Sequence, residues 1–219
     1  MHKGDNLRRI VSAQRPSYDG GRYLSVNELK KEQSYCLQRL RRHNRHLHGW
    51  GVVCGLWVVP VNDANRPWAV QVCPGYALGP YGDEIYVPAP TTVDVADYLW
   101  RRPLKSDSTP YVGIRYAEQE ARPIPTKTPG CGCEETTYKP SRIRDSFQVD
   151  IIWLLKMNVI GDDTPPTTSS DELDLCKETL NDCPECPSTP YVLLARLGLP
   201  TRERDPITQG YIQNLKVRL

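Results

Sequence analysis

No stretch of this 219-residue sequence approaches the roughly 18 consecutive apolar residues that a membrane-spanning helix requires. The opening residues, MHKGDNLRRIVSAQRPSYDGG, also have no apolar segment of the signal-peptide kind. Both absences speak against membrane insertion and secretory export, so folding in a reducing cytoplasm is the expectation. Histidine is scarce: there are four, and one of them is His2. There is no His-Glu-x-x-His, no Gly-x-Ser-x-Gly, no phosphate-binding Walker loop and no dinucleotide fingerprint. The one glycine-rich candidate, GPYGDE at residues 79–84, has no helical pattern behind it and reads as a turn. Acid–base and nucleotide chemistry therefore have few carriers, and a protein that is not an enzyme is expected. Nucleic-acid binding is not expected either, because no recognised module is present and the net charge is only +2.

What is present is a globular composition, 39% hydrophobic and 25% charged, in a chain long enough to bury a real core. The near-neutral charge conceals an uneven spread. Residues 1–48 carry eleven Lys or Arg against four Asp or Glu, and residues 162–186 carry eight acidic residues against one lysine. A basic end and an acidic segment in one chain suit complementary contacts between copies or with neighbours. Ordinary solvated faces would explain either segment taken alone.

Residues 1–24 are polar and arginine-rich without periodicity, and we read them as an extended arm. Ser25-Val-Asn-Glu28 then fits a capping box, which opens a helix over residues 25–48. Val26, Leu29, Cys36, Leu40, His43 and Leu47 recur at helical spacing and form its apolar stripe, with Lys30, Lys31, Arg39, Arg41, Arg42 and Arg45 opposite. Gly49 is the expected terminator. From Gly51 onward the pattern changes to short valine-rich runs, GVVCGLWVVPV and WAVQVC first, divided by Gly and Pro. That is the pattern of antiparallel strands joined by tight turns. Further strands are predicted at Tyr111–Glu118, Ser146–Met157, Tyr191–Leu199 and Tyr211–Leu219, and a short helix at Ala96–Trp100. SFQVDIIWLLKM is apolar on both faces in its second half, which suggests a central strand. The fold class expected is α+β and mainly β: an arm and one long helix, then an antiparallel sandwich or barrel-like domain over residues 49–219. Two long loops, 121–144 and 161–190, rich in Pro, Thr and Ser, are expected to interrupt that domain.

Both loops hold cysteines: Cys131-Gly-Cys133 in the first, and Cys176 with Cys183-Pro-Glu-Cys186 in the second. A Cys-x-x-Cys knuckle offers two thiolates to one tetrahedral ion. Cys131, Cys133, Cys183 and Cys186 are therefore the candidate ligands of a structural zinc, which would order loops too polar to build a core. Disulfides between the loops are the second reading and unpaired thiols the third. Cys36, Cys54 and Cys73 read as small buried hydrophobes. The histidines of HNRHLHGWGVVCGL, residues 43–56, look like a metal cluster at first sight. No Asp or Glu lies within ten residues of them, and His43 falls on the apolar stripe. We read them as packing and capping groups, with Trp50 anchoring the turn and Cys54 in the core.

The stretch YDGGRYLSVNELKKEQSYCLQRLRRHNRHLHGWGVVCGLWV, followed by VQVCPGYALGPYGDEIYVP, resembles a bacterial protein family encoded beside phage-tail-like contractile injection systems. The matching features are His-Asn-Arg-x-Leu-His-Gly-Trp-Gly-Val-Val-Cys-Gly-Leu, then Pro-Gly-Tyr-Ala-Leu and Tyr-Gly-x-Glu-Ile, then Pro-Ser-Arg-Ile-Arg at 140–144. A paired-cysteine segment before a Val-Leu-Leu-Ala strand also fits. The resemblance covers roughly residues 15–200, and the β part is similar to tail and baseplate domains. The opening turn departs from the family pattern, reading Ser-Tyr-Asp-Gly-Gly where the family has Tyr-x-Asp-Gly. The resemblance implies a non-enzymatic structural component of such a particle, at the baseplate or around the spike, present in several copies. Its partners would be other baseplate or spike proteins and copies of itself. It would be made in the cytoplasm and assembled into a particle that is either released or docked at a membrane. The alternatives are a metal-binding enzyme or toxin cargo of the particle, and a surface-binding module related to tail fibres.

Overall fold

The computed structural model describes residues 14–21, 23–99, 108–127, 136–155, 189–199 and 205–215. Helix α1 spans Val26–His43 and starts as its sequence requires. The Ser25 hydroxyl accepts from the Glu28 amide at 3.3 Å, and the Glu28 carboxylate accepts from the Ser25 amide at 3.3 Å. Both halves of the capping box satisfy amides that the first turn leaves without helical partners. After His43 the helix widens into a single π-helical turn, Asn44–His48, and stops at Gly49 with φ +74°.

The sheet region follows, with ten antiparallel strands in three sheets among the described residues. Strands β1 (Gly51–Gly55), β4 (Gly75–Leu78) and β5 (Glu84–Val87) form the first, in the order β1-β4-β5. The second, β2-β3-β6, uses Val58–Pro60, Ala69–Val72 and Thr91–Asp94. The third, β10-β9-β7-β8, uses Ile212–Asn214, Val192–Leu197, Ser108–Lys127 and Thr136–Leu155. Helix α2 is a short Ala96–Leu99 piece before the third sheet. The valine-rich run GVVCGLWVVPV holds two strands, in different sheets. Gly55 and Leu56 both take left-handed angles, φ +65° and +57°, which swing the chain from β1 to β2.

One core joins the three sheets. Val58, Val72, Ile85, Val112, Ile114 and Leu194 are among its buried members, and Trp50, Trp68 and Phe147 pack against it. Each fully buried side chain of this size contributes about 1.5–3 kcal/mol by leaving water. The fold class is the one the sequence indicates, α+β and mainly β.

Two expectations are corrected here. Residues 121–127 and 136–144, expected within a loop, continue β7 and β8 into one long two-stranded ribbon, paired from Ser108↔Leu155 out to Lys127↔Thr136. The prolines that suggested a loop, Pro123, Pro125 and Pro140, lie where, among the described residues, the ribbon has no third strand beside it. A missing amide there removes no interior ladder bond. Secondly, β8 is not central: among the described residues only β7 pairs with it. Its core face is Val149 and Ile151, while its other face carries Asp150 and Ile152.

The expected loop at 161–190 lies outside the described residues, save for its last two residues. Among the described residues no helix is long and apolar enough to cross a membrane.

Candidate functional site: the junction of helix and ribbon

Among the described residues, helix α1 meets the sheets toward its C-terminal end, and one buried polar residue holds it there. Asn44 is 6% exposed and donates its side-chain amide to the Gly82 carbonyl at 3.0 Å. Gly82, in the turn between β4 and β5, has φ +86°, and a Cβ there would overlap the Arg41 carbonyl. The close approach of helix and turn therefore needs glycine on one side and a small amide on the other. The sequence carried only a weak signal for Asn44: it lies four residues past Leu40, at the margin of the stripe.

Arg41 makes the charged half of the joint. Its Nε lies 2.5 Å from Asp83 Oδ1, and its guanidinium reaches Glu118 Oε1 at 3.9 Å on β7. The same guanidinium sits 5.6 Å from the centre of the Tyr116 ring. Tyr116 in turn donates to Asp145 Oδ1 of β8 at 2.6 Å, with Glu118 Oε1 3.2 Å away. One arginine thus touches the β4–β5 turn and the ribbon together. The Asp83 contact is an ion pair rather than a well-aligned hydrogen bond, since Oδ1 receives no bond of good geometry. Burial pushes the Asp83 carboxyl above its ordinary value, and Arg41 only partly offsets that rise. Burial and the bond to Asp145 hold the Tyr116 hydroxyl well above the usual phenol range, so it stays a donor.

A second polar cluster occupies the opposite face of the ribbon. Asp150 accepts from Tyr191 at 2.9 Å, Tyr98 at 3.2 Å and Gln148 at 3.0 Å, with Arg115 Nε 3.7 Å away. Arg115 also donates to Gln148 Oε1 at 2.5 Å. Every oxygen of that carboxylate is occupied, and burial followed by the Asp150 bond raises the Tyr191 hydroxyl above its ordinary value. Chemically both clusters are braces: their carboxylates are committed to cations and phenols of their own chain.

The candidate metal ligands Cys131, Cys133, Cys183 and Cys186 all lie outside the described residues, as does Cys176. Among the described residues no group of three or more His, Cys, Asp or Glu is arranged to hold a metal ion. His43, assigned to the core from its place on the stripe, is exposed; its ring meets the His48 ring edge-on at 5.4 Å between centroids. The reason is that the stripe itself faces outward. Every residue of α1 is at least partly exposed, with Leu29, Leu37 and Leu40 each close to half exposed and Val26 67% exposed. Cys36 and Cys54, expected as core filler, are exposed as well, and Cys73 is half-buried. Cys54 lies on β1, an outer strand of its sheet, just past a bulge that turns the second half of the strand outward. Trp50 does anchor its turn against the core.

No known family model matches the chain, and no curated protein matches it.

Proposed function

We propose that this chain is a non-enzymatic structural component of a phage-tail-like contractile injection system, at the baseplate or around the spike. Its partners in this reading are other baseplate or spike proteins and further copies of itself. The reading rests on the resemblance carried by residues 43–56 and 74–87. One structural observation supports it: two elements project apolar surface away from the common core. Among the described residues nothing covers the stripe of helix α1, and the outer half of the β7–β8 ribbon exposes Ile124, Tyr138 (69%) and Ile143 (68%). Apolar surface on projecting elements is characteristic of chains that complete their packing on a neighbour. The braces at Arg41 and Asp150 fit the same role, because they fix the directions in which helix and ribbon leave the body.

The test is incorporation. Particles isolated from cells whose only copy lacks residues 1–20 are expected to lose the protein, while the purified truncated chain still unfolds cooperatively. In wild-type particles, quantitative mass spectrometry should give a copy number that is a multiple of three or six. In this reading residues 1–20, the extended arm, reach onto a neighbouring subunit, and normal incorporation of the truncated chain sinks that role. Absence of the full chain from intact particles sinks the structural role altogether.

A further inference from the structure

Helix α1 poses a problem that the rest of the fold does not solve. An isolated helix of 18 residues is marginal in water, and most helical stability comes from packing an apolar face. Here the face exists, and among the described residues nothing covers it. Its positions follow a heptad: Val26, Leu29, Gln33, Cys36, Leu40 and His43 fall alternately on the two seam positions of a coiled coil. Arg41 and Asn44, which bind the body, lie to one side of this seam.

From this we propose that α1 pairs antiparallel with α1 of a second copy of this chain, along that seam. Charge selects both the partner and the direction. The first half of the helix holds Glu28 and Glu32 with Lys30 and Lys31, whereas the second half holds Arg39 and Arg42 without a carboxylate, Arg41 being paired with Asp83. Parallel pairing stacks the two basic halves on each other. Antiparallel pairing separates them and aligns the helix dipoles favourably. In the register that centres the seam, Leu29 faces Leu40 of the second copy and Gln33 faces its Cys36. Glu32, whose Oε2 accepts from Tyr18 at 2.6 Å and whose other oxygen is left to a partner, and Arg39 occupy equivalent flanking positions that meet across the pair, so two Glu–Arg contacts form by symmetry.

This inference deepens the structural reading, for which self-association is one expectation, yet it can fail separately. Sedimentation equilibrium on the purified full-length protein is expected to show a dimer, and Leu29→Asp with Leu40→Asp is expected to abolish it without altering the β-sheet signal in circular dichroism. Glu32→Arg alone should weaken the dimer about tenfold, and adding Arg39→Glu should restore it. Under oxidation, Gln33→Cys should form an interchain disulfide with Cys36 of the second copy, identified by peptide mapping. A monomeric wild type, or a Cys36–Cys36 link in the unchanged chain, overturns the antiparallel pair. A monomer would leave incorporation into particles still standing, and a dimer missing from particles would overturn the particle role alone.

Discussion

Asp83 carries two opposing effects, and their balance has a measurable sign. Its side chain is 12% exposed, so burial favours the neutral acid, while Arg41 at 2.5 Å favours the anion. Burial wins, and the folded-state pKa lies above the ordinary 3.8. A raised acid binds its proton more tightly in the folded chain. Its stabilising contribution is therefore complete below pH 3.8 and lost as pH rises through the folded pKa. Chemical denaturation at stepped pH should show the wild type gaining stability relative to Asp83→Asn as pH falls from 7 to about 4. A constant difference would mean that Arg41 compensates the burial fully. At the neighbouring position, Gly82→Ala places a methyl against the Arg41 carbonyl and demands a left-handed angle of an L-residue. The expected cost is about 2 kcal/mol in urea unfolding, with Trp50 fluorescence changing as the helix end shifts.

At the scale of the element, the helix was the most legible part of the sequence and the ribbon among the least. Ser25, Glu28 and Gly49 marked the helix ends because caps are local chemistry, settled by a few adjacent residues. Ser25→Ala should cost about 1 kcal/mol and appear as faster amide exchange in the first turn of α1, with exchange in β7 unchanged. The stripe was legible too, but what covers it was not: periodicity reports that a face is apolar and says nothing of where its partner lies. Periodicity therefore points His43 and Cys36 to a core that does not reach them. The ribbon escapes sequence reading for the complementary reason. Proline argues against a strand flanked on both sides, and nothing in residues 121–144 shows that this hairpin has open edges. The same blindness to neighbours put β8 in the middle of its sheet, since Ile151 and Ile152 are both apolar although they face opposite ways.

Across the whole molecule, the sheets are joined by contacts between residues too distant in sequence for any local pattern to announce. Asn214, at the end of β10, accepts from the Val58 amide at 2.8 Å and donates to the Val58 carbonyl at 3.0 Å. Its side chain therefore does what a neighbouring strand would do, and links the third sheet to the second. Close by, Ile207 donates its amide to the Pro67 carbonyl and Trp68 donates to the Asp205 carbonyl, fastening the same two regions. Val58 is fully buried, so neither of its backbone groups can turn to water instead. Asn214→Ala removes both partners and should cost about 3 kcal/mol, a fall in Tm of roughly 6–12 °C for a chain of this size. Asn214→Asp separates the two bonds: the carboxylate still accepts from the Val58 amide but repels the carbonyl. It should be at least as destabilising as alanine above pH 5 and should recover stability in acid, where a protonated carboxyl can donate again. Equal behaviour of the two variants across pH, followed by differential scanning calorimetry, would show that closure of the sheets depends on packing around Val58 rather than on the amide.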